Sequence, residues 1–127
     1  MYKEFIIIIV VMAIIIGLDI VTNNYTKDTV NIISNDLEIL KEYVLKEQKE
    51  KAEIQMKKIN DKWEERYKVL AFYIEHDELE KVKTQLTELS ANLSVEEYKL
   101  CIAELETTAF ILDHIKEKEE FHLRSIF

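Results

Sequence analysis

Proline is absent from this 127-residue chain, and its single glycine, Gly17, lies inside an apolar run. Past residue 21 neither helix breaker occurs, so no residue there stops a helix by sterics alone. The lack of glycine also removes the loops whose backbone amides close round a phosphate or an oxyanion. No catalytic activity is expected on that ground, and no cofactor. Cys101 is the only cysteine, which precludes an intrachain disulfide. It has no His or Cys near it in sequence, so it is not read as a catalytic thiol.

Positive charge is scarce as well, with 17 Lys and Arg against 25 Asp and Glu. The imbalance is local. Residues 41–68 hold nine basic and seven acidic side chains, residues 75–127 six and thirteen. So acidic a half repels nucleic acid and an anionic lipid surface. The basic excess of the middle segment is expected to pack beside the acidic half.

What is present begins with hydrophobicity. Residues 5–18 are apolar without interruption, and Ile20 and Val21 extend the run past Asp19 to seventeen positions. As helix, that segment is about 25 Å long, a little short of a ~30 Å hydrocarbon core. Residues 1–21 therefore read as a membrane anchor, and residues 22–127 as an acidic helical domain. A cleaved signal peptide would have a run of this length too, but small residues should close it, and Ile16-Gly17-Leu18-Asp19-Ile20 supplies one. A buried core element would show a polar face, and this run has none. Lys3 and the α-amino group on one side face Lys27 on the other, a small bias. By analogy with signal anchors, the expected location is a single-pass cell-membrane protein with its C-terminal domain outside the cytoplasm.

Four apolar stripes follow at helical spacing. They are Val30, Ile33, Leu37, Leu40 and Val44; Ala52, Met56, Ile59, Trp63, Tyr67, Leu70 and Ile74; Leu79, Val82, Leu86, Leu89 and Leu93; and Tyr98, Ile102, Leu105, Ala109, Leu112 and Ile115. Helices at about 25–45, 51–75, 77–92 and 94–118 are expected, with capping boxes at Asp77–Glu80 and Ser94–Glu97 and Asn92 as a terminator. No breaker marks residues 46–50, so the first two helices are either separate or continuous. The fold class is thus all-α, an N-terminal transmembrane helix followed by an antiparallel bundle of three to four helices.

Candidate chemistry is sparse. In an antiparallel bundle His76 and Asp77 fall at the same end as His114 and Glu117, a set of nitrogen and oxygen donors that suits a metal. The Glu-x-x-His pair of ferritin-like bundles is missing, and histidines at helix ends also serve as caps. No metal is assigned. Trp63, Tyr67, Phe72, Tyr73 and Phe110 are either core or the lining of a ligand pocket, and the apolar tail at 121–127 either folds back as a cap or docks on a partner.

Four segments carry a likeness: Lys62-Trp63-Glu64, the run Phe72-Tyr73-Ile74-Glu75-His76-Asp77-Glu78-Leu79, Phe110-Ile111-Leu112-Asp113-His114-Ile115, and the closing Ser125-Ile126-Phe127. In this order they resemble the family labelled domain of unknown function 4363, short bacterial proteins with one N-terminal membrane segment and a helical remainder. Around 44–52 the chain departs from it, with Lys46-Glu47-Gln48-Lys49 where members have an Asp-Trp or Glu-Trp turn. The resemblance implies no activity and no catalytic residue. It implies a membrane-protein partner, in the spore envelope. The expected role is a non-enzymatic protein-interaction module, bound to the bilayer through residues 5–21 and to a membrane partner or itself. A small-ligand sensor and a metal-binding bundle are the alternatives.

Overall fold

The computed structural model describes residues 1–126 and contains four helices: α1 (Tyr2–Leu45), α2 (Lys49–Leu70), α3 (His76–Ser94) and α4 (Tyr98–Ile126). The apolar run and the first bundle helix are one continuous α1, unbroken at residues 21–22. α1 packs on α2 and α4, and α3 packs on α2 and α4, so the helices alternate in direction round a square.

The first and third stripes are buried at every position. The fourth is displaced. Cys101, Leu105, Thr108, Leu112 and Ile115 are buried, whereas Ile102 and Ala109 are half-buried on its flank. Cys101 thus belongs to the core, where burial pushes its thiol up to about 11 and leaves it protonated and unreactive.

α1 and α2 are separate, and α2 ends at Leu70 rather than near 75. Both turns at the far end of the bundle are built alike, and the second does not use the expected Ser94–Glu97 box. Glu47 and Glu96 adopt left-handed φ of 53° and 61°. The amide of Gln48 donates to Tyr43 O and that of Glu47 to Val44 O; Glu97 donates to Asn92 O and Glu96 to Leu93 O. These are two Schellman motifs, which satisfy the last carbonyls of α1 and α3. Neither predicted box forms: Ser94 ends α3 and bonds back to Ala91 O, and α3 begins at His76 with no side-chain cap.

A glutamate at the position glycine normally takes carries the left-handed strain of an L-residue. Glu47→Gly and Glu96→Gly are each expected to stabilise the bundle by about 0.5–1 kcal/mol in thermal melts, the relief of strain outweighing the added freedom of the unfolded chain. The exposed Lys49–Glu96 pair at 3.9 Å contributes little to set against that gain.

Of the basic side chains of α2, Lys58, Lys62 and Arg66 turn to α1, while Lys49 meets the acidic C-terminal half at Glu96. Asp36 is buried among Ile33, Leu37 and Leu40, with Lys62 Nζ at 3.0 Å and Lys58 Nζ at 4.0 Å. Gln55 Nε2 donates to the Asp36 carbonyl at 2.9 Å. Arg66 reaches Asp28 at 3.2 Å and lies over the Tyr25 ring at 4.9 Å. A carboxylate inside the α1 stripe needs cations from its immediate neighbour, and α2 is that neighbour. Other pairs also differ from a simple Glu–Lys ladder: Lys57 meets Asp61 at 2.7 Å, and Lys41 of α1 meets Glu106 of α4 at 2.6 Å.

Candidate functional site where the bundle meets the apolar helix

At the other end of the bundle the chain leaves α2 through residues 71–75, and the turn is fastened to α1 by one phenol. Tyr73 OH donates to the Thr22 carbonyl at 3.1 Å, and the Thr26 hydroxyl lies 2.7 Å from the same oxygen. The phenol has one proton, so Thr26 is the donor in the second bond. Burial raises the Tyr73 pKa above its ordinary value and keeps it a neutral donor.

Below this fastening lies a cavity of about 360 Å³ between α1, the α2–α3 turn, α3 and α4, with Asp19, Tyr73, Glu78, Lys118, Glu119 and His122 on its wall. Asp19 Oδ2 and Glu78 Oε2 are buried there without hydrogen-bond partners. Lys118 Nζ lies 3.4 Å from the other Glu78 oxygen and 3.8 Å from Glu75. Burial raises the Glu119 carboxyl pKa above its usual range; His122 and Lys118 pull it down and Asp19 adds to the rise.

Such a carboxyl holds its proton more tightly folded than unfolded. Deprotonation as pH rises through that range therefore weakens the fold, and the penalty is absent below the unfolded pKa. Glu119→Gln is expected to raise the melting temperature at pH 7 and to leave it unchanged near pH 4. Thermal melts of both proteins across that range provide the check, and the difference between them isolates Glu119 from Glu104, whose carboxyl is also raised by burial.

The cavity carries carboxyl groups, Lys118 and His122, and the Ser125 hydroxyl on its wall donates to the His122 backbone carbonyl. It can exchange protons and hold a small polar molecule. The other large depression, about 870 Å³, is lined by Glu50, Ile54, Lys57, Asp61 and their neighbours on α2 alone. One helix cannot enclose a ligand, so this is an open face.

The residues singled out for metal binding do not converge. His76 is exposed and faces Glu80 at 3.3 Å, and Asp77, His114 and Glu117 are exposed. Among the described residues, no group of three or more His, Cys, Asp or Glu side chains is placed to hold an ion. The aromatic set divides. Trp63 is 2% exposed and packs on Tyr67 at 6.4 Å between ring centroids, as core, with its indole N–H unpartnered. Phe72 and Phe110 point into solvent. The tail does not fold back: α4 runs on through Ile126, and Phe127 lies outside the described residues. Thr22, Thr26 and Asp36, which make polar contacts from α1 to the α2–α3 turn and to α2, carry no local signal of that role.

Among the described residues one helix, α1, is long and apolar enough to cross a membrane, and none of its apolar window is buried in the bundle. A core helix would be covered; this one is bare. Residues 20–126 match the family described as Domain of unknown function (DUF4363), and the chain belongs to it. No curated protein and no solved structure matches it.

Proposed function

We propose that this member of the family is a single-pass membrane protein whose helical bundle is a non-enzymatic protein-interaction module, held outside the cytoplasm in a membrane or envelope complex. One observation carries the reading: a bare apolar segment continues, as a single helix, into a bundle with a closed core. Water does not tolerate fourteen consecutive uncovered apolar residues, and lipid does. The exposed apolar side chains on the outer side of the bundle, Ile54 on α2 and Leu100 and Phe110 on α4, are where a protein partner would gain contact area.

Proximity crosslinking with mass spectrometry tests it, on the full-length chain at native abundance in its own membrane. A reproducible membrane-protein neighbour, lost when Ile54 or Phe110 is changed to Lys, is the expected result. Capture of nothing, or no change on substitution, would sink the interaction role. The polar cavity beside Asp19 and Glu119 favours a second reading, a small-ligand sensor. A ligand there would shift the melting temperature, and Glu119→Gln would abolish the shift.

A further inference from the structure

Of the polar contacts that tie α1 to the rest of the bundle, the one made by the α2–α3 turn lies at the end of the apolar segment. Tyr73 bonds to the carbonyl of Thr22, the first residue after Val21. Phe72, its neighbour, is 88% exposed. It is therefore held within about one helical turn of the place where the apolar run stops. A second line on α4 reaches the same level. The Lys41–Glu106 pair marks the antiparallel register of α1 and α4. Counting about twenty residues onward from Glu106 and the same number back from Lys41 brings the end of α4 level with Val21 and leaves Phe121 roughly 7 Å short of that level, since both helices rise ~1.5 Å per residue. Phe121, also exposed, stands on the rim of the cavity that Asp19 and Thr22 line.

A lone exposed aromatic needs no explanation. Two at the same end of the bundle, beside the end of an apolar span, do. The span is about 25 Å long and falls roughly one turn short of the hydrocarbon thickness. Phenylalanine side chains on a protein that lies against a bilayer bury themselves at the boundary between headgroups and acyl chains.

We propose that the bundle does not float on a tether but rests on the bilayer that α1 crosses, with Phe72 inserted at the boundary between acyl chains and headgroups and Phe121 beside it. This rests on the anchor reading above. No flexible linker separates the two parts, because α1 is continuous through residues 18–26. The charges at that end of the bundle are mixed and mainly acidic: Asp19, Glu75, Asp77, Glu78, Glu119 and Glu120 against His76, Lys118, His122 and Arg124. Attraction to anionic headgroups is therefore not what holds the contact. Apolar insertion holds it, so it is strongest on a zwitterionic surface and persists in high salt.

The test uses the full-length protein in phosphatidylcholine vesicles that carry bromine near the top of the acyl chains. In a Trp63→Phe background, tryptophan is introduced by Ile8→Trp, Phe72→Trp or Val95→Trp. Val95 lies in the far turn, about 35 Å along α1 from Val21. Emission at positions 8 and 72 is expected to be quenched and that at 95 to be untouched. Quenching at 8 without quenching at 72 leaves the anchor standing and overturns the contact, even where position 72 is instead covered by a second copy. No quenching at 8 overturns the anchor and the contact together. Should Trp63→Phe not fold, the same comparison holds with Trp63 kept, as a difference from the parent protein, because that indole is enclosed in the bundle.

Discussion

Met12→Arg combined with Ile14→Arg is expected to move the protein from the membrane pellet to the soluble fraction with its bundle intact. The two sites lie near the middle of residues 5–21 and on different faces of α1, so the two arginines cannot share one water defect. Thirteen Phe, Ile, Leu and Val residues in that segment offer about −4 to −8 kcal/mol of insertion free energy, at roughly −0.3 to −0.6 each. Two arginines at the centre cost about 5–7 kcal/mol and cancel it. Neither side chain touches the bundle, so the thermal melt of the soluble variant should match that of the parent domain. Carbonate extraction followed by immunoblotting gives the partition, and intact mass shows whether residues 1–21 are still attached. A variant that stays in the membrane would mean that something other than α1 holds the protein there. A parent protein lacking those residues would make the segment a signal peptide.

How much of this was legible beforehand depended on whether the determinant was local. Helix content followed from the missing glycine and proline, and the stripes through Ile33 and Leu86 proved to be the buried faces. Those are properties of one helix and its own periodicity. The turns were harder. Glu47 and Glu96 occupy left-handed positions without belonging to the residue types that announce them, while the capping boxes at Asp77 and Ser94 looked complete and were not used. Here tertiary packing, which sets where α3 must end to let α4 return, outweighs a cap of about 1 kcal/mol. The α4 face was displaced because Cys101 and Thr108, small and weakly apolar, proved to be its centre line, with the larger Ile102 on the flank.

The juxtaposed site was the least legible part. The Thr22–Tyr73 contact spans 51 positions. It exists only because α2 ends at Leu70 and lets the following turn fold under α1. Asp36, read alone, is a polar interruption of an apolar stripe. Its burial makes sense only once Lys58 and Lys62 arrive from α2. The histidines were conspicuous by rarity, and rarity carries no geometry: each lies exposed at the bundle's edge.

α2 offers the sharpest test of the packing, because it presents the same residue type to two environments five positions apart. Ile59 is 0% exposed and Ile54 is 73% exposed. Truncation of Ile59 to Ala removes buried methylenes and leaves a void that its neighbours fill only in part, with an expected cost of about 2–5 kcal/mol. In a domain of this size that is a large share of a total stability of ~5–15 kcal/mol, and it corresponds to a fall of ~10 °C or more in melting temperature. Ile54→Ala should change stability by less than ~0.5 kcal/mol, since its side chain is in water in both states and alanine is the better helix former. Urea titrations of both variants, read by the circular dichroism of the bundle, measure the contrast. Equal costs would mean that α2 is rotated from the register in which Ala52, Met56, Ile59 and Trp63 face the core. A large cost at Ile54 alone would put the core on the face now lined with Lys57 and Asp61. The same pair also separates folding from association. If Ile54→Ala is neutral in melts yet weakens capture of a membrane neighbour, its exposed side chain acts at an interface between proteins and not in the bundle.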